Sequence, residues 1–167
     1  MKQLAIYSLI LMMLVLTGCP VLTKNSIDDG SYDVPKWMAG KWQAFDKEGK
    51  AKDIYFLEKG EKKGNMKCYD DDGNGKADQG KMHQVILSTV GSRTFLCYYT
   101  PEDDVSDEGY YLFELRKVSN KEFQLAGIKE HAIDYHATQA AIVKYLEQNK
   151  DNDGIFDPAE VSTYKKL

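Results

Sequence analysis

The chain has 167 residues, with 22 Lys plus Arg against 26 Asp plus Glu, a formal charge of −4, and 43% apolar residues. That is enough apolar material for one domain with a sizeable core. No concentrated basic surface is visible, so nucleic acid is not an expected partner.

The first residues carry one early cation, Lys2, then an apolar stretch from Leu4 to Leu16 broken only by Ser8. This falls short of the roughly 20 residues that span a bilayer and reads as a secretory signal. It ends in Leu16-Thr17-Gly18-Cys19, which resembles the lipobox of bacterial lipoproteins. The resemblance implies a signal peptide over 1–18 and a diacylglyceryl thioether on Cys19. The alternative is an ordinary signal peptide whose Cys19 pairs with another cysteine. Several acyl chains on one residue anchor stably, since each buried CH2 adds about 0.8 kcal/mol. The expectation is a protein tethered to a membrane through its N-terminal lipid without spanning it, in the cell envelope on the periplasmic side. Pro20, rather than Asp, follows Cys19, which favours the outer membrane over the inner. Loss of the signal removes Lys2 and makes the mature chain more acidic by a single charge.

Residues 19–35 are polar, marked by Gly and Pro and without period, and are predicted to be a flexible tether. The domain proper is assigned to 36–167. Its first strand begins at Trp37-Met38-Ala39-Gly40-Lys41-Trp42. Aromatic and β-branched runs then predict strands over 53–59, 65–70, 82–90, 93–100, 109–118 and 122–128. Gly91-Ser92 between two apolar runs fits a two-residue hairpin. The connections are too short for crossover helices, so the sheet should be antiparallel and meandering. Past residue 130 the period changes. Thr138 is a plausible N-cap, and Ile142, Tyr145 and Leu146 fall on one face of a helix packed on the sheet.

Gly40-Lys41-Trp42 resembles the G-x-W signature of the lipocalin superfamily, in which the Gly permits a tight entry and the Trp closes one end of the barrel. With the strands and the late helix, the order resembles small bacterial lipoproteins that carry a lipocalin-like domain after a lipobox. These close with a Phe, an acidic stretch and a Tyr-basic-basic ending, here Phe156, Asp157 to Glu160 and Tyr164-Lys165-Lys166. The resemblance implies a mostly β fold, a lipocalin-like antiparallel β-barrel with a C-terminal α-helix. The later T-D-Y and R motifs of that superfamily are not recognisable. It further implies that Gly40 and Trp42 pack one barrel end, and that the interior holds a small apolar molecule or none.

One stretch suggests metal chemistry. In Asn149-Lys150-Asp151-Asn152-Asp153-Gly154-Ile155-Phe156-Asp157-Pro158-Ala159-Glu160, the EF-hand ligand positions fall on Asn149, Asp151, Asp153, the Ile155 carbonyl, Asp157 and Glu160, with Gly154 at the turn. The competing reading is an acidic turn in which Asp157-Pro158-Ala159-Glu160 forms a capping box for a short helix. A second acidic stretch, Asp70 to Lys81, has a cation at its last ligand position and reads better as a hairpin turn.

After Cys19, two cysteines remain. Cys68 and Cys97 could form one disulfide in an oxidising compartment or stand as separate buried thiols. His83, His131 and His136 have no zinc spacing, and no nucleophile or phosphate-loop motif appears, so no enzyme is expected. In Tyr98-Tyr99 and Tyr110-Tyr111 one ring of each pair faces inward, to line a pocket or fill a core. The expected role is noncatalytic, without cofactor. The protein binds a small apolar or amphipathic ligand or serves as an envelope interaction module, the alternative being a calcium-binding envelope protein using 149–160.

Overall fold

Short runs in which aromatic and β-branched residues alternate with polar ones suit a pleated surface buried on one face. The computed structural model of the chain describes residues 20–100 and 108–167. They contain β1 (Leu22–Thr23), β2 (Gly40–Phe45), β3 (Ala51–Lys59), β4 (Asn65–Asp71), β5 (Ala77–Val90), β6 (Arg93–Thr100), β7 (Gly109–Ser119), β8 (Glu122–Ile128), α1 (Gln139–Gln148) and β9 (Phe156–Lys166). The expected signal over 1–18 and the expected lipid attachment site at Cys19 lie outside the described residues.

From β2 to β9 each strand pairs antiparallel with the next, and β9 returns to β2 with Lys166 opposite Trp42. The result is a closed antiparallel barrel, which leaves none of these strands as an open edge. β1 lies beside β7, with Leu22 opposite Tyr111, just where β8 no longer reaches. Val90 pairs with Arg93 across Gly91-Ser92, and Gly91 has a φ of 61°, which this hairpin turn requires.

Alternation along the strands produces two cores. Val85, Leu87, Leu96 and Leu115 point into the barrel with Trp42 and Phe123, while Ile86, Val90, Phe95 and Leu112 point outward. The outer core is covered by α1, through Ile142 and Leu146, and by the segment that precedes the barrel, through Val21 and Ile27. Thr138 caps α1, its hydroxyl accepting from Ala141 N.

That preceding segment corrects the expected tether over 19–35. From Pro20 onward it belongs to the domain. Val21 and Ile27 are 2% and 0% exposed, and Val21 N donates to the Ile128 carbonyl at 2.8 Å. The Ser88 hydroxyl donates to Asp28 at 2.6 Å, fixing the segment to β5. Gly30 and Gly64 touch backbone to backbone, and a Cβ on Gly64 would stand 2.4 Å from Gly30 Cα. Isolated apolar residues anchored by hydrogen bonds can cover a sheet without any period of their own.

The C-terminal region is also corrected. α1 is not followed by a capped helix. A 3-10 turn over Asp153–Ile155 leads into β9, which closes the barrel. Ala126 pairs with Val161 but Ile128 with Phe156, so β9 bulges across 157–160. Pro158 sits in that bulge, where its missing N–H costs no ladder bond.

The two thiols are free and buried. Cys68 belongs to the inner core and Cys97 to the outer, so the wall of the barrel separates them and the disulfide alternative falls.

Candidate functional site

One end of the barrel is plugged. Trp42 is fully buried, and its indole N–H donates to the Met38 carbonyl at 2.7 Å. Its ring meets Phe123 at 4.8 Å, and Phe123 stacks on Tyr164 at 4.7 Å. Above it, Lys166 Nζ lies 5.3 Å from the Trp42 ring and donates to the carbonyls of Trp37 and Ala39.

Beyond this plug the interior opens into a cavity of about 380 Å³. Leu57, Val85, Leu96 and Leu125 form its aliphatic wall, and Tyr55, Tyr98, Tyr111, Phe113, Phe123 and Tyr164 its aromatic one. The alternation expected for the tyrosine pairs places Tyr98 and Tyr111 on this wall, while Tyr110 packs against the outer core beside Tyr99. At the open end stand Pro20 and Glu160, which approach each other across Gly127.

The lining is electrically quiet. Burial pushes the Cys68 thiol up to about 12, with the Asp70 charge adding to the effect, so it stays protonated at neutral pH. Burial likewise pushes the Tyr55 hydroxyl up to about 12, helped by Asp53 and Asp70, and raises that of Tyr164. Glu160 is the exception. Burial, then the neighbouring Asp157, hold its carboxyl above the ordinary range, and Lys47 opposes them. An apolar pocket with one polar group at its mouth can hold a small molecule and orient it.

The six candidate calcium ligands do not converge. Asn149 ends α1, its side-chain oxygen accepting from Asn152. Asp153 is bound by Arg93 at 2.8 Å, and the Ile155 carbonyl accepts from Lys129 N. Asp151 is exposed, Asp157 accepts from Ala159 N within the bulge, and Glu160 lines the barrel cavity. Among the described residues no group of three His, Cys, Asp or Glu side chains could hold a metal. The expected exit helix is a strand, and its pleat sends Glu160 inward. In the Asp70 to Lys81 stretch, Asp72 accepts from Asn74 N and Lys76 N and closes a hairpin turn.

Sequence reasoning takes Glu160 for a metal ligand or a cap and misses it as a cavity residue. The period-two alternation of Glu160, Ser162 and Tyr164 is the available signal. Pro20 at the cavity mouth is missed as well, and it carries no such signal.

No family model matches the chain, and no curated protein matches it. Among solved structures it is similar to a DUF4909 family protein from Staphylococcus aureus subsp. aureus Mu50, at 10% identity over 78% of this chain and 96% of that one, with a TM-score of 0.46. Fold and site together define a closed antiparallel β-barrel with an apolar cavity open at one end.

Proposed function

We propose that the protein is a lipid-anchored envelope protein that works without catalysis, holding a small apolar or amphipathic molecule inside its barrel. The cavity carries this reading. At about 380 Å³ it falls within the range of small-molecule sites, and its aliphatic and aromatic walls are suited to an apolar body. Supporting the anchor is the lipobox-like Leu16 to Cys19. Val21 is buried and Pro20 lines the cavity mouth, so a lipid on Cys19 would bring the membrane next to that mouth. A ligand could then pass between bilayer and barrel without crossing water.

Titration with the neutral dye N-phenyl-1-naphthylamine tests the cavity. Saturable fluorescence enhancement in the wild type, weakened at least about tenfold by Leu96→Trp, which fills the cavity, is the expected result. Equal binding by both proteins would exclude the cavity. For the anchor, Cys19→Ala should move the protein from the membrane fraction to the soluble one.

A further inference from the structure

Among the described residues, the cavity lining is apolar or aromatic except for Cys68, Ser162 and one carboxylate, Glu160, and includes no Lys, Arg or His. Glu160 accepts no hydrogen bond and forms no ion pair among the described residues. Lys47, whose charge reaches it, is paired with Glu48 at 4.0 Å. Asp53 and Asp70 lie close enough to bear on the Tyr55 hydroxyl inside the cavity, and His83 stands 4.0 Å from Asp70 with its ring 5.1 Å from that of Tyr98. The field at the site is therefore negative.

A partly buried carboxylate beside apolar walls, with no hydrogen bond or ion pair among the described residues, gains from a cation brought against it. Aromatic faces beside it attract the same charge through their quadrupoles. An anionic head group would be repelled by Glu160, which Lys47 offsets only in part, and by the charge of Asp70. A neutral head group would leave the carboxylate unpaired.

Resting on the ligand-binding reading above, we propose that the barrel selects cationic amphiphiles, an alkylammonium head pairing with Glu160 while the chain lies against Leu57, Val85, Leu96 and Leu125. The raised pKa of the Glu160 carboxyl agrees with this, because burial and the neighbouring Asp157 outweigh the opposing charge of Lys47.

The test is displacement of N-phenyl-1-naphthylamine at neutral pH by decylamine, decanol and decanoate, each below its micelle-forming concentration. The chain from Pro20 to Leu167 is used, since it holds every described strand and both described cores. Decylamine should displace the dye at roughly tenfold lower concentration than decanoate. Glu160→Gln should remove most of that advantage and leave the decanol midpoint in place. Decanoate displacing as well as decylamine, or an unchanged preference in Glu160→Gln, would overturn the proposal. Absence of dye binding by the wild type would overturn the cavity reading itself and this one with it. Dye binding without charge preference defeats only the selectivity.

Discussion

Lys166, near the end of the chain, stands 5.3 Å from the ring of Trp42 in the first barrel strand and donates to the carbonyls of Trp37 at 2.9 Å and Ala39 at 2.7 Å. One ammonium thus satisfies two carbonyls of the segment that plugs the barrel and covers the indole beneath it. Lys166→Met keeps much of the aliphatic stem and loses both hydrogen bonds. It should lower stability by about 2 kcal/mol in urea unfolding, and a loss below measurement error would show that the plug holds without it.

A second latch lies outside the barrel. Glu114 is 7% exposed and held between Arg93 and Arg116, and Arg93 also binds Asp153 and the Lys150 carbonyl. Both guanidinium groups lie about 5 Å from the Phe156 ring. Arg93→Ala leaves a buried carboxylate with one partner fewer and frees the turn that leads into β9. A loss of about 3 kcal/mol is expected by chemical denaturation, with hydrogen exchange rising first over 150–156.

The thiols should be inert in the folded protein. Burial pushes both Cys68 and Cys97 up to about 12, so neither forms thiolate at neutral pH. Alkylation of the chain from Pro20 to Leu167 by iodoacetamide should be negligible in buffer and complete in denaturant. Rapid labelling of either cysteine in buffer would contradict its place in a core.

Glu160 gives a stability prediction independent of any ligand. A carboxyl whose folded pKa lies above its unfolded value binds more protons in the native state between the two values. Its contribution is therefore favourable at low pH and is lost as pH rises through that window. Glu160→Gln should raise the neutral-pH melting temperature of the empty protein slightly, on the order of a degree, and the gain should vanish below the unfolded pKa. A lower melting temperature at neutral pH would mean that the carboxylate has a partner in the fold.

Calcium should leave the fold indifferent. The Ile155 carbonyl and the Asp153 carboxylate are already taken by Lys129 and Arg93, and Glu160 faces the barrel. Thermal unfolding with millimolar calcium and with excess chelator should coincide, whereas a native-state ligand at a hundredfold excess over its dissociation constant would add about 2.7 kcal/mol.

The strands that are legible in the sequence carry their own local signal. Ile54 to Leu57, Val85 to Leu87, Phe95 to Tyr98 and Tyr110 to Phe113 are dense in aromatic and branched residues and bounded by turn chemistry, and all lie in strands. α1 likewise shows its period and its cap. What escapes depends on contacts far along the chain. β9 pairs with β2 across more than a hundred residues, and its opening Asp157-Pro158 copies a helix cap because a bulge tolerates the same residues. Pro20 to Val34 has no repeating pattern, since it packs single residues, Val21 and Ile27 against the outer core and Val34 against the inner one, rather than a face. The cavity is half legible. The inward tyrosines follow from alternation, but whether they fill the barrel or line a space depends on the summed volume of eight strands' inward side chains. Glu160 becomes legible as a cavity residue only once β9 is known.

Methyl-resolved NMR of the chain from Pro20 to Leu167, titrated with decanol below its solubility limit, tests the central claim most directly. Saturable shifts at Leu57, Val85, Leu96 and Leu125, with Ile142 and Leu146 of the outer core unmoved, are the predicted result. Shifts confined to the outer core, or none at any inward methyl, would contradict a ligand-binding barrel.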